Sequence, residues 1–345
     1  MNAKIRLYGI LLLLVWGITS CDHKDYKWDI FGEDFETPVL TDQNTIQFTV
    51  HPEEWLTLEI YGEGRMVIDW GDGKMTKVGY GEFYEAPSHR YIRGSYRVRV
   101  WCDELVLLNL GNGLIDISDL KLVDCPLLEN LNISSCSGNT SLNLEYCPKL
   151  KYLTLLNFAD LAAVDISQCP NLGSLLLSSN AEIEYLDLSH NYALRYLECP
   201  DCGLSSLSLE KNTELITLNC SRNKLTSLDL SNNKMLDDLE CSDNLLSELD
   251  LVSLSTLSSV YCSGNKLTSI MISPYNNILS LYCPSNQLDT EALNTVFTHL
   301  QKWEIVRPGM PCPDITFYDN PGEQRCDVDI LATKNWIIGE KENAF

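Results

Sequence analysis

Between about residue 105 and residue 290 the chain places apolar residues at a fixed interval. The first leucine of each unit gives Leu131, Leu153, Leu175, Leu197, Leu218, Leu239, Val260 and Leu281, spaced by 22 and then by 21. Each unit reads LxxLxCxxNxLxxLDLxxN and holds two short alternating runs, such as Leu218-Asn219-Cys220 and Leu228-Asp229-Leu230. Successive side chains of a strand point to opposite faces, so Leu218 and Cys220 turn inward and Asn219 outward. A unit this short cannot bury its apolar side alone, and the period predicts stacked coils that close one another's core.

The flanking segments follow other patterns. TIQFTV, WLTLEIY, MVIDW and SYRVRVW are rich in β-formers or alternate, which predicts strands. Asp69-Trp70-Gly71-Asp72-Gly73 lies between two of them, and Asp-Gly between apolar runs marks a hairpin. After Leu288 the repeat gives way to DTEALNTVFTHLQKW. Leu293, Val296, Phe297 and Leu300 share one helical face there, with Asp289 or Thr290 as N-cap. ITFYDNPGEQRCDVDILATKNWII then reads as a strand, an Asn-Pro-Gly turn, a short helix and a last apolar strand.

The repeat consensus resembles the leucine-rich repeats, and in particular the bacterial 21-residue class called IRREKO. VIDWGDGK followed by HRYIRGSYRVRVW resembles a PKD-type β-sandwich over about residues 43–104. The C-terminal segment is similar to the lid that closes bacterial leucine-rich-repeat proteins. The implied fold is a β-rich solenoid of 21–22-residue coils, with an N-terminal PKD-like sandwich and a small α/β C-terminal cap. The expected division is a leader at 1–20, a tether at 21–42, the sandwich at 43–104, repeats at 105–290 and the cap at 291–345.

MNAKIRLYGILLLLVWGITSC has a basic start, an apolar run short for a bilayer span and small residues before Cys21. Its last four residues, ITSC, resemble the lipobox of bacterial lipoproteins, which implies diacylation of Cys21. An ordinary secretory signal or membrane anchor is the other reading. The acidic residues Asp22, Asp25 and Asp29 resemble the tethers of surface-displayed lipoproteins in some Gram-negative bacteria. The interspersed Lys24 and Lys27 leave cell surface and periplasmic face both open.

Cysteine is the candidate for chemistry. Cys199, Cys220, Cys241, Cys262 and Cys283 hold an inward strand place where cysteine serves as a small hydrophobe. Cys125, Cys136, Cys147, Cys169 and Cys202 lie three residues past a strand centre, where Asn223, Asn244, Asn265 and Asn286 stand in other units. The resemblance implies that Asn or Cys there donates to loop carbonyls. Cys199-Pro200-Asp201-Cys202 has redox-centre spacing, but both thiols fall on repeat positions already assigned. The five histidines, at 23, 51, 89, 190 and 299, are not beside the thiols in sequence, which argues against zinc. Cys312 and Cys326 are a candidate disulfide pair. Asp69 and Asp72 supply only two of the six to eight oxygens that calcium takes, and aspartate in such a turn commonly accepts backbone amides. His89 and Tyr91 read as packing residues.

Composition narrows the function. The 345 residues are 45% hydrophobic and 21% charged, as in a folded soluble protein. The net charge of −23, or −25 without a leader carrying Lys4 and Arg6, repels phosphates and argues against nucleic acid. No H-E-x-x-H, G-x-S-x-G or P-loop signature is present, and no catalytic residue, metal ligand or cofactor is expected. The outward aspartates Asp165, Asp187, Asp229 and Asp250 belong to the repeat consensus and read as structural or solubilising. The other outward column varies from coil to coil while the inward one does not. Tyr196, Glu198, Asn219, Glu240, Tyr261 and Tyr282 are therefore the expected binding residues, for a protein or glycan ligand. The expected protein is a lipid-anchored binding protein of the outer membrane, displayed at the surface. The alternative is an enzyme or accessory subunit acting on glycan or protein, with a site between sandwich and solenoid.

Overall fold

The computed structural model describes residues 35–51, 55–79, 81–92, 94–110, 117–303 and 312–339. The leader, Cys21 and the tether up to residue 34 lie outside the described residues. In the N-terminal part the strand Glu59–Asp69 pairs antiparallel with Met75–Val78, Glu82–Glu85 and Tyr96–Asn109. Ile46–Val50 lies between Tyr96–Asn109 and Ile117–Lys121, antiparallel to both. Trp55–Thr57 and Ser88–Arg90 form a separate two-stranded ribbon. Phe48, Leu58, Ile60, Ile68, Trp70 and Val98 are buried between these layers.

The 14-residue strand Tyr96–Asn109 carries the connection to the repeats. Its first part belongs to the antiparallel sheet, whereas Leu107, Leu108 and Asn109 pair in parallel with Asn130, Leu131 and Asn132. Residues 104 and 105, where sandwich and repeats were expected to divide, thus lie within one strand. Among the described residues, hydrogen bonding runs unbroken from one part into the other as a single 17-stranded sheet.

Beyond it the coils stack in strict register. Leu131, Leu153, Leu175, Leu197, Leu218, Leu239, Val260 and Leu281 pair successively, each buried to 1% exposure or less. The ladder also reaches further than the repeat pattern, through Leu108 before it and Ile315 and Ile338 after it. The C-terminal segment therefore continues the sheet after inserting the helix Thr290–His299. Asp289 caps that helix, its Oδ1 accepting the Ala292 N–H at 2.8 Å, and Leu293, Val296 and Phe297 face the core. Each fully buried leucine contributes about 1.5–3 kcal/mol, so the stacked column dominates cohesion between coils.

Turns after the ladder strands repeat one device. The residue before each buried turn position adopts left-handed backbone, as at Asp201 (φ 56°), Arg222 (φ 53°) and Asp243 (φ 56°). The next residue then points inward. Asn244 donates from Nδ2 to the carbonyls of Cys220 (3.0 Å) and Cys241 (3.1 Å), and its Oδ1 accepts the Leu225 N–H at 3.0 Å. Asn223, Asn265, Asn286 and Asn320 do the same in their coils. Buried backbone groups that no strand pairs are satisfied in this way.

The cysteines at the turn positions form two columns, a correction to the single set read from the sequence. Cys136 and Cys202 occupy the turn of Asn223, and the Cys202 thiol donates to the Leu177 carbonyl at 2.7 Å. Cys125, Cys147 and Cys169 belong to the opposite turn, where Asn191 donates to the carbonyls of Ile166 (3.0 Å) and Cys169 (2.9 Å). Both turns lie five residues past a strand centre, Cys202 after Leu197 and Cys169 after Val164, so spacing alone merged them. Cys312 and Cys326 are free thiols, one exposed and one half-buried.

Candidate functional site

The ladder register brings the expected binding residues onto one face. Glu198, Asn219, Glu240, Tyr261 and Tyr282 pair successively as one column, and Tyr196 flanks Leu197 from the other side. All six are half-buried. Thr217, Asp238, Ser259 and Ser280 continue the column of Tyr196. Because side chains in parallel in-register strands stand above one another, residues far apart in sequence form a continuous surface.

The face has an aromatic end and an acidic middle. Tyr261 and Tyr282 have ring centroids 6.1 Å apart, tilted by 40°. Tyr282 meets Tyr318 edge-on at 6.3 Å, and their hydroxyls are 2.6 Å apart. Burial pushes the Tyr261 phenol up, although Ser280 hydrogen-bonds it. It likewise pushes up the carboxyls of Glu198, Asp238 and Asp314. Glu240 is tied back by the Ser242 N–H at 3.1 Å, and Asn219 accepts the Ser221 N–H (3.1 Å) and hydroxyl (2.7 Å). Tyr318 and Asp314 were not read as part of the face, since both lie beyond the regular repeat. A signal for them exists: Ile315-Thr316-Phe317 with Asn320 reproduces the spacing of Leu281-Tyr282-Cys283 with Asn286.

The opposite aspartate column makes turns. Asp165, Asp187, Asp229 and Asp250 each accept the N–H two residues on, at 2.9–3.0 Å. Hydrogen bonds from Ser167, Ser189 and Ser231, by hydroxyl and amide, hold the first three carboxyls below the usual range.

The thiols at the C-x-x-C spacing are also accounted for. Cys199 is a fully buried residue directly after the strand Tyr196–Glu198, and Cys202 is a fully buried turn residue. Burial raises both, Cys202 to about 12 and Cys199 well above the ordinary value. A redox cysteine needs the opposite shift.

In the N-terminal sheet, Asp69 accepts the Gly71 N–H at 2.9 Å and pairs with Arg99. Asp72 takes the Lys74 N–H at 3.1 Å and meets His89 Nε2 at 2.9 Å. His89 is stacked on Trp70 at 4.9 Å and meets Tyr91 edge-on, while Tyr91 donates to the Trp70 carbonyl at 3.0 Å. Both aspartates and His89 are thus engaged in holding the turn. A depression of about 430 Å³ beside it is lined by Asp42, Asp69, Arg97 and Arg99 among others, without histidine. The Ser95 hydroxyl lies 2.8 Å from His51 Nδ1, both exposed, and the other ring nitrogen meets the Ser118 hydroxyl rather than a carboxylate.

No family model matches the sequence, and no curated protein matches it. Among solved structures, the functional domain of InlJ from Listeria monocytogenes, described as including a cysteine ladder, is 24% identical. It matches with a TM-score of 0.54 over 68% of this chain and 50% of that one. An internalin, InlF, from the same organism gives 18% identity and a TM-score of 0.37, covering 69% and 87%. YopM from Yersinia enterocolitica gives 20% and 0.42, covering 68% and 60%. The chain thus spans half the length of the InlJ structure it matches. That likeness, with the in-register coils, defines the fold as a leucine-rich-repeat solenoid.

Proposed function

We propose that the ladder face from Tyr196 to Tyr318 is a recognition surface for a protein partner. One observation carries the reading: inward ladder positions keep aliphatic residues or cysteine from Leu131 to Cys283, while the half-buried outward positions change from coil to coil and gather three tyrosines at one end. Packing dictates the first set and not the second. Tyrosines give rigid contact area, and small polar neighbours give adaptable hydrogen bonds. Repeat arrays build extended surfaces rather than dry catalytic cavities, which favours binding over the enzyme alternative.

The chain around this surface is a lipid-anchored envelope protein. The ITSC motif supports acylation at Cys21 in the manner of bacterial outer-membrane lipoproteins, with the acidic segment after it as a tether to the cell surface. The WGDG turn and the later strand support a PKD-like module at the N-terminal side, and the helix Thr290–His299 with the segments after it serves as the cap. The test is capture of partners by the full chain, with a glycan array in parallel, against Tyr261→Ala/Tyr282→Ala. A partner that binds the wild type and loses at least tenfold affinity for the variant supports the assignment. Equal affinity moves the site to the loops of the N-terminal sheet, and array hits without a protein partner favour the glycan reading.

A further inference from the structure

We propose that Ser95 is an activated nucleophile that takes an acyl group from carboxylic esters, with His51 as its base. The inference is independent of the ladder face, because its groups sit at one end of the N-terminal sheet. Val50 pairs with both Tyr96 and Ile117, so their chain neighbours His51, Ser95 and Ser118 meet there. His51 Nδ1 lies 2.8 Å from the Ser95 hydroxyl, and Nε2 lies 3.1 Å from the Ser118 hydroxyl. Ser118 is buried, and its hydroxyl donates to Asp119 Oδ2 at 3.5 Å. The Thr49 hydroxyl donates to the same oxygen at 3.5 Å.

One arrangement of protons serves the whole chain. The Nε2–H donates to Ser118, Ser118 donates to Asp119, and Nδ1 is left to accept the Ser95 hydroxyl. A backbone irregularity builds it. Successive residues of a regular strand face opposite sides, yet Ser118 and Asp119 both reach toward Thr49 and His51. The pairing of Ile46–Val50 with Ile117–Lys121 shifts register between Gln47 and Thr49, and Asp119 takes left-handed backbone at φ 53°. Bulges re-aim side chains in this way and are over-represented beside active sites. A serine, a base within hydrogen-bond reach and a group that orients the base are the set that activates a hydroxyl.

Two other exposed serines show what this chain adds. Ser189 Oγ is 3.0 Å from His190 Nδ1, but among the described residues no second hydrogen bond orients that ring. The Ser88 hydroxyl meets the Thr57 hydroxyl at 2.8 Å and no base. In the transfer, a bond forms between Ser95 Oγ and the acyl carbon, and the ester C–O bond breaks. The hydroxyl proton passes to His51 Nδ1 and then to the departing alkoxide, so no oxidant or reductant is needed. Ser95 and His51 are both exposed, so an ester reaches them from solvent.

Residue-resolved mass spectrometry of the full chain treated with a fluorophosphonate tests this directly, since the reagent bonds serine oxygen to phosphorus and expels fluoride. Ser95 should be labelled at least ~100-fold faster than Ser88 or Ser189, and p-nitrophenyl acetate should compete. Labelling should slow as pH falls from about 8 to about 5, because a protonated imidazole cannot take the proton. His51→Gln should remove both the rate advantage and the pH dependence while melting within a few degrees of wild type. Asp119→Asn removes the charge behind Ser118 and should slow the wild type but not the His51→Gln variant, which a purely structural role would not produce. Labelling of Ser95 no faster than Ser189, or undiminished in folded His51→Gln, overturns the proposal. Either result leaves the recognition face untouched.

Discussion

Tyr261 and Tyr282 stand on neighbouring coils, paired in register, with their rings 6.1 Å apart and tilted by 40°. Between their strands the same register stacks Val260 on Leu281, fully buried. One backbone thus presents an apolar interior and a variable exterior on alternate residues of the pleat. The interior holds the coils together, and the exterior is free to carry recognition.

The cysteine ladder belongs to the interior. Burial raises Cys199, Cys241 and Cys262 well above the ordinary value and Cys202, Cys220 and Cys283 to about 12. Little thiolate therefore exists at pH 8. Residue-resolved alkylation of native protein should modify exposed Cys312 in the first phase and the ladder thiols only after denaturant is added. Native labelling of Cys199 or Cys202 as fast as Cys312, or turnover of insulin disulfides, would restore a redox role.

The asparagine turns should be worth more than their size implies. Asn244→Ala leaves the Leu225 amide without its acceptor and removes one of two asparagine donors from each of the carbonyls of Cys220 and Cys241, which keep Asn223 and Asn265. Each unsatisfied buried group costs about 1–3 kcal/mol. Urea unfolding should place the variant about 2–4 kcal/mol below wild type, whereas exposed Asn232→Ala should stay within about 0.5 kcal/mol. Equal effects at the two positions would refute the turn device.

Much of this was legible because packing constrains the inward positions. Leucine at every ladder position from 131 to 239 announced the coils, and alternation alone sorted Tyr196, Glu198, Asn219, Glu240, Tyr261 and Tyr282 to the outside. Illegibility has physical causes too. The alternation of Tyr96–Asn109 looks the same whether its neighbour is antiparallel or parallel, so the fusion of the two parts was hidden. The helix Thr290–His299 interrupts the period between Leu281 and Ile315, which concealed the return of the ladder and with it Tyr318. The two turn columns have identical spacing from their strands, and only the hydrogen-bond partners separate Cys169 from Cys202.

Glu198 supplies a pH test. Burial raises its carboxyl above the ordinary value of 4.5, so the folded state binds the proton more tightly than the unfolded one. Its contribution is fully favourable below that ordinary value and is lost as pH rises through the folded value. Glu198→Gln should therefore melt at a higher temperature than wild type at pH 7, and the difference should vanish by pH 3. A lower melting temperature for the variant at pH 7 would mean that the charge is stabilised rather than strained.

The anchor assignment is tested at Cys21. If acyl chains on Cys21 supply the attachment, as proposed, replacing it with alanine should leave unprocessed or released protein in membrane fractionation. A variant processed and retained like the wild type would show that another segment holds the chain to the membrane.

The most direct test of the recognition face is hydroxyl-radical footprinting of the full chain with and without its captured partner. Tyr261, Tyr282 and Tyr318 should lose reactivity on binding, while Tyr185 and Tyr275, 65% and 80% exposed and outside the ladder strands, should react as before. Protection of Tyr185, Tyr275 or the N-terminal sheet, with the three face tyrosines unchanged, would contradict the account.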